Sequence, residues 1–182
     1  VLVGTGLSKP GNLRFLRHSL HSRSRTMQYW RMQLHPSEST TAMAHAVQSV
    51  ASGFIGLDFA GDWGDLRKAD PDSVKPGERD FFDFATRMQV GDLVLVVVHH
   101  YQLALVTVAG DYNYIARTEP ELGVWFRHFR RIDKRKTVYW ADWVTDAKKW
   151  EPITMTDTIS ILLDPSSKSY RLIDEWRKAI PE

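Results

Sequence analysis

The sequence has no cysteine among its 182 residues. This absence excludes a disulfide framework, a thiolate nucleophile, and any zinc or iron–sulfur site held by cysteine. It also suits a reducing compartment, and we expect a cytoplasmic protein.

Long apolar runs are missing as well. The longest, residues 93–98, has the length of a strand and is followed by His99 and His100. A membrane-spanning helix needs about 20 apolar residues, so we expect a soluble protein without a membrane partner. Gly4 and Gly6 lack the third glycine and the strand–turn–helix context of a dinucleotide fingerprint, which leaves no cofactor to predict.

Acidic residues are absent from the first 26 residues, which contain five basic ones. Residues 27–182 therefore carry 19 basic against 22 acidic groups, a net charge of −3. We interpret residues 1–26 as a basic tail and residues 27–182 as one domain with a C-terminal helix. The tail is a non-native or wrongly assigned start, a basic arm touching phosphates, or a targeting peptide.

The apolar run at residues 93–98 predicts a strand buried on both faces, begun by a turn at Gly91. A second strand over residues 105–114 ends in Tyr112 and Tyr114. Tyrosines spaced by two project to the same side of an extended segment, so they can wall a slot for a flat ligand. This pattern favours a base-binding pocket.

The remaining patterns predict an α+β domain of mostly antiparallel strands in a strongly curved or barrel-like sheet, with helices outside. Gly53 suits a helix C-terminal cap. Tyr170, Ile173 and Trp176 share one face of the last helix. The expected strands cover residues 28–34, 53–59, 123–131, 137–144 and 158–163, and the expected helices cover 39–52, 79–88 and 167–179.

Five segments in this order carry a resemblance over roughly residues 28–143: 29–32, 53–66, 88–94, 108–114 and 125–130. They resemble the PUA-like superfamily, and within it the EVE and YTH-like domains of modification-dependent restriction systems. The resemblance implies a small curved β-barrel flanked by helices, whose concave face accepts one flipped, modified base in an aromatic cage. It implies a reader without catalysis, with a nuclease effector on another chain.

The resemblance leaves the ligand open. Residues 31–35 depart from the simplest EVE pattern, which has an acidic start after this strand. The modified base of DNA is 5-methylcytosine, 5-hydroxymethylcytosine or N6-methyladenine, and RNA is the alternative because the wider superfamily includes RNA readers.

A base pocket needs aromatic rings and a hydrogen-bond acceptor that converge, since they must offset the cost of unstacking the base. The tryptophan in the glycine-rich loop is the strongest candidate, because core packing explains it poorly. Trp30 and Tyr114 have a competing interpretation as core residues, and Asp65 as a turn former. The predicted base-pocket residues are Trp30, Asp58, Phe59, Trp63, Asp65, Tyr112 and Tyr114.

A basic run interrupted by apolar residues predicts contacts with phosphates. Its competing interpretation is a solvated strand edge and turn, where cations discourage edge-to-edge pairing. The predicted phosphate-contacting residues are Arg127, Arg130, Arg131, Lys134 and Arg135.

Two other classes compete with a reader. Asp72 after Pro71, together with Asp146 and Lys148, is similar to a PD-(D/E)xK nuclease, but most of the proposed barrel separates the two halves and we expect no catalysis. A protein or small-molecule interaction module would use the same slot, with the helix around Trp176 docking a partner. We predict no metal, because neither the histidine pair nor the aspartates have ligand spacing.

Overall fold

The central strand of the sheet, β3 (Leu93–Val98), is buried along its whole length, as the apolar run predicts. Its even-numbered valines pack with Trp30 on one face, and its odd-numbered residues pack with Trp176 on the other. The fold is taken from a computed structural model and is described for residues 25–34, 41–58, 63–99, 101–144 and 153–182.

The described strands form a seven-stranded sheet in the order β2-β5-β4-β3-β1-β7, with β6 also paired to β4. All pairs are antiparallel except β1 with β3, which confirms the predicted α+β class and strand directions. The pairing path is open, with β2 and β7 at its two edges, so closure into a barrel is not confirmed. The other strands are β1 (Tyr29–Gln33), β2 (Phe54–Leu57), β4 (Tyr101–Tyr114), β5 (His128–Ile132), β6 (Val138–Tyr139) and β7 (Ile159–Ile161).

Strand β4 is the longest of the described strands, with 14 residues. It pairs with β3 along one edge, and with β6 and then β5 along the other. Val108 lies opposite Ile132 and Tyr112 lies opposite Arg130, so four steps on β4 match two on β5. Such a bulge bends a strand and redirects the side chains beyond it.

Helices cover both faces of the sheet. α1 (Ala42–Ser52) and α2 (Arg79–Thr86) pack on the Trp30 face, while α4 (Lys168–Trp176) packs on the opposite one. Gly53 ends α1 with φ +91°, as predicted for a C-terminal cap. In the part of the chain that the structure describes, no helix is long and apolar enough to cross a membrane.

The carboxylate of Asp92 joins the start of β3 to the chain before β1. It is buried and accepts hydrogen bonds from Trp30 Nε1 at 3.1 Å and from the backbone N–H groups of Gln28 and Gln89 at 3.0 Å. Arg25 donates to it at 3.1 Å. The last residues of the predicted tail therefore contact the domain, while residues 1–24 lie outside the described residues.

The expected strand over residues 137–144 is only partly correct. It stops after Tyr139, and α3 (Trp140–Trp143) follows. Helical spacing places Trp140 and Trp143 on one side, where both pack on Trp176 at ring-centroid distances of 5.2 and 5.1 Å. Packing of these two partly buried rings on Trp176 outweighs the extended tendency of the segment.

Candidate nucleic-acid interface

The end of β2, the end of β4 and the start of β5 lie side by side in the sheet. Register places Leu57 of β2 and Tyr114 of β4 on either side of His128, the first residue of β5. Two of the predicted site residues are direct neighbours of these positions: Asp58 follows Leu57, and Arg127 precedes His128. The fold therefore brings residues from three distant segments together where these strand ends meet.

Asp58 and Arg127 form an ion pair there. Arg127 Nε lies 2.6 Å from Asp58 Oδ1 at the protein surface, where the two side chains are 17% and 27% exposed, respectively. The predicted base acceptor and the predicted phosphate contact thus neutralise each other. We expect neither charge to be fully available to a ligand.

The hydroxyl of Tyr112 bonds to two parts of the chain. Tyr112 Oη lies 2.7 Å from His128 Nδ1 and accepts a hydrogen bond from the backbone N–H of Leu66 at 3.2 Å. An amide N–H can only donate, so the hydroxyl oxygen accepts from Leu66, while the direction of its bond with His128 Nδ1 follows the tautomer of the imidazole. Burial raises the pKa of Tyr112 to about 12, which keeps the phenol neutral.

The ring of Tyr112 is covered by protein. Only 2% of the residue is exposed, the Arg67 guanidinium lies 5.3 Å from the ring centroid, and Phe84 meets the ring edge-on. Tyr114 is half-buried and tilted against His128 at 5.3 Å. The expected slot between two open tyrosine rings is not present in this arrangement.

Trp63 keeps a large exposed surface. It is 41% exposed, and its ring meets Phe81 of α2 edge-on at 6.0 Å. Trp30, in contrast, is fully buried and bonded to Asp92, which matches its competing interpretation as a core residue. Phe59, the remaining predicted aromatic, lies outside the described residues.

Asp65 acts as a cap of the 3₁₀ turn Leu66–Lys68. Its carboxylate accepts from the Arg67 backbone N–H and from Arg67 Nε, both at 3.0 Å, and from Nη2 at 2.7 Å. These bonds to the Arg67 side chain lower the pKa of Asp65. The turn-forming interpretation therefore describes its contacts, and both oxygens are engaged.

Three of the five predicted phosphate contacts lie in one groove. Arg131, Lys134 and Arg135 line an open cavity of about 430 Å³ that we call the cationic groove. Asp133, also in its lining, accepts a hydrogen bond from the Arg135 backbone N–H at 2.9 Å. Across the described ranges, none of the three cations forms an ion pair.

Two glycines give the cationic groove its shape. A Cβ on Gly53 would lie 3.3 Å from Lys134 Cγ, and one on Gly110 would lie 3.1 Å from Arg131 Cβ. The absence of side chains lets both cationic stems rest close to the backbone of neighbouring segments. The groove therefore depends on the end of α1 and on the bulge of β4.

Arg130 does not lie in the cationic groove, and its assignment as a phosphate contact needs correction. It is 2% exposed and donates to the carbonyls of Phe84, Ala85 and Gly110 at 2.9, 3.1 and 3.2 Å. Burial lowers the pKa of this guanidinium to about 10. Because it bonds to carbonyls at the end of α2, Arg130 stabilises the helix C-terminus.

Sequence reasoning missed His128 and Leu66. Alternation along β5 carries a signal for the first, since His128 shares its side with the apolar Phe126 and Ile132, and all three are buried. Nothing in the pattern pairs Leu66 with a tyrosine 46 residues away.

The cluster of Trp140, Trp143 and Trp176 was also not predicted. Its ring centroids lie 5.1–5.6 Å apart. A flat ligand between two rings needs a gap of roughly 7 Å, twice the normal carbon contact distance. These rings therefore pack against each other and leave no slot.

Comparison with known proteins gives little further information. No family model matches the sequence, and no curated protein matches it. Among solved structures, the chain is similar to the YTH domain of the Zygosaccharomyces rouxii MRB1 protein in complex with N6-methyladenosine RNA. The identity is 11% and the TM-score 0.42, over 95% of this chain and 96% of that one. Similarity at this level does not establish a shared family or ligand.

Proposed function

We propose that this chain binds nucleic acid and reads a modified base. The cationic groove carries the proposal. Arg131, Lys134 and Arg135 bring three positive charges together beside one carboxylate, in a domain whose net charge is −3. Phosphodiester oxygens complement such a groove, and counterion release on binding would make the affinity depend on salt.

Trp63 supplies a surface on which a base can stack. Base stacking on an aromatic side chain contributes about 1–3 kcal/mol, which is comparable to the cost of taking a base out of a duplex. Among the predicted pocket residues that the structure describes, the exposed face of Trp63 and the half-buried ring of Tyr114 are the accessible aromatic surfaces. Hydrogen bonds to the base edge must add the rest of the discrimination.

The preferred ligand in this proposal is DNA that carries a methylated or hydroxymethylated base, with modified RNA as the alternative. We further propose that the chain binds without cutting, and that a nuclease on another chain acts on the marked site. The polymer and the modification are outcomes of one binding experiment.

That experiment measures fluorescence polarisation of labelled oligonucleotides with cytosine, 5-methylcytosine, 5-hydroxymethylcytosine or N6-methyladenine, plus N6-methyladenosine RNA. A length of about 12 nucleotides more than spans β5, whose ends lie about 13 Å apart. We expect preference for one modified base and an affinity loss of about tenfold in Trp63→Ala.

Tyr101→Ala is the matched control, because Tyr101 is another exposed aromatic, at 69%, on the tip of the β3–β4 hairpin. We expect its affinity to stay within about twofold of the wild type. Equal binding of all the oligonucleotides would contradict base reading, and no binding at low salt would contradict the nucleic-acid proposal itself.

A further inference from the structure

We infer that Tyr112 and His128 are positioning residues for Trp63, and that they act through the segment 63–68 rather than by touching the base. For its ligand the inference rests on the proposed function. The contacts inside the protein can be tested without a ligand.

The segment 63–68 is held at two points of Leu66. Its side chain is 4% exposed and belongs to the core, and its backbone N–H donates to Tyr112 Oη at 3.2 Å. Trp63 lies three residues earlier, across Gly64 with φ +66°. The direction in which the chain leaves Leu66 therefore sets where the indole lies.

Arg67 adds a second connection to the same tyrosine. Its guanidinium bonds to Asp65 and lies over the Tyr112 ring, 5.3 Å from the centroid. Arg67, paired with Asp65, therefore lies against the ring of Tyr112. The hydroxyl of the same tyrosine accepts from the Leu66 N–H. The hydroxyl and the ring of one residue both contact the segment.

His128 holds the Tyr112 hydroxyl in the orientation that the segment needs. The hydroxyl accepts from Leu66, and His128 Nδ1 is its second hydrogen-bond partner, 2.7 Å away. Leu66 N–H and Tyr112 Oη are buried together. Losing the hydroxyl would leave the Leu66 N–H without its acceptor, a cost that opening of the segment relieves.

Tyr112→Phe separates this inference from the expected role of Tyr112 as a cage wall. A ring that stacks on a base keeps its stacking surface in phenylalanine, so a cage wall tolerates the change. A positioning hydroxyl does not tolerate it. We expect amide hydrogen exchange across residues 63–68 to accelerate at least tenfold, and affinity for the preferred oligonucleotide to fall about five- to tenfold.

Variants at His128 provide the rescue test. The amide of asparagine can place either an acceptor or a donor near the position of Nδ1, whereas leucine places neither. We expect His128→Asn to retain most of the affinity and exchange protection, and His128→Leu to lose both. Tyr101→Phe, which removes an exposed hydroxyl far from the segment, serves as the control.

Two results would overturn the inference: unchanged exchange across residues 63–68 in Tyr112→Phe, or faster exchange while affinity stays within twofold. If the wild type binds none of the oligonucleotides, the proposed function fails by itself. The exchange measurement then still decides whether the hydroxyl holds the segment.

Discussion

The two sides of strand β5 use the same kind of residue in opposite ways. Arg130 points inward with His128 and Ile132 and is almost completely buried, whereas Arg131 points outward and is exposed. The inward arginine bonds to carbonyls of α2 and β4, and the outward one lines the cationic groove. Strand alternation, rather than local charge, decides which cations are available to a ligand.

Burial changes what an arginine contributes. Removing a guanidinium from water is costly, and three carbonyl partners and the C-terminal dipole of α2 offset part of that cost for Arg130, whose pKa stays lowered. Arg131 has no such cost and keeps its hydration. The first residue therefore contributes to the stability of the fold, and the second is free of that role and serves the proposed binding of phosphates.

Arg130→Ala is the strongest test of this difference. The substitution leaves two buried carbonyls, of Phe84 and Ala85, and the part-buried carbonyl of Gly110 without their donor, and we expect the free energy of unfolding to fall by about 3 kcal/mol. Arg131→Ala, its neighbour on the other side, should change that free energy by less than about 0.5 kcal/mol. Urea unfolding of the two variants makes the measurement, and equal losses would contradict the division between the two sides.

Removal of the outward cations should affect binding alone. In the triple variant Arg131→Ala, Lys134→Ala and Arg135→Ala, we expect the negative slope of log affinity against log salt to become less steep by about 2 to 3. The free energy of unfolding of this variant, measured in urea, should stay close to that of the wild type.

The matched control for this variant replaces three exposed cations outside the cationic groove with alanine, namely Lys75, Arg117 and Arg171. It changes the net charge by the same amount, so an equal decrease in its salt slope would show that net charge, and not the groove, governs binding.

At alkaline pH we expect a smaller effect, on the free energy of unfolding that buried Tyr112 contributes. The pKa of Tyr112 is raised from 10.0 to about 12 by burial, so the phenol stays neutral in the folded state while it ionises in the unfolded chain. The resulting stabilisation is complete below about pH 10 and is lost as the pH rises towards 12.

Urea unfolding of the wild type and Tyr112→Phe between pH 9 and 11 can measure this change. The stability advantage of the wild type should shrink as the pH rises from about 10. Tyr29 has a similarly raised pKa, but it is present in both proteins and cancels in the difference. An advantage that stays constant across this range would contradict the raised pKa of Tyr112.

The sequence predicts those elements whose signals are local. The apolar run of β3, the cap at Gly53 and the buried face of α4 each follow from neighbouring residues, and each is confirmed. The predicted closing helix over residues 167–179 is also present, with Ser167 as its cap, α4 over Lys168–Trp176 and a 3₁₀ turn over Arg177–Ala179.

The candidate site could be predicted only in part, because long-range contacts decide the environment of its residues. Trp30 is bonded to a carboxylate 62 residues away, and Arg130 to carbonyls about 45 residues away. Residue type alone suggested ligand contact for both. Alternation along β5 would have shown that Arg130 shares its side with Ile132, but not what lies opposite.

The bulge of β4 sets a rule for changes in chain length. Four steps from Val108 to Tyr112 match two steps on β5, so the bulge holds two extra residues. The side chains of Val108 and Tyr112 nevertheless both belong to the core. Because side chains alternate, an insertion or deletion of one residue between them would turn Tyr112 outward. A change of two would keep it inside. We therefore expect length variation at this point to be tolerated in pairs.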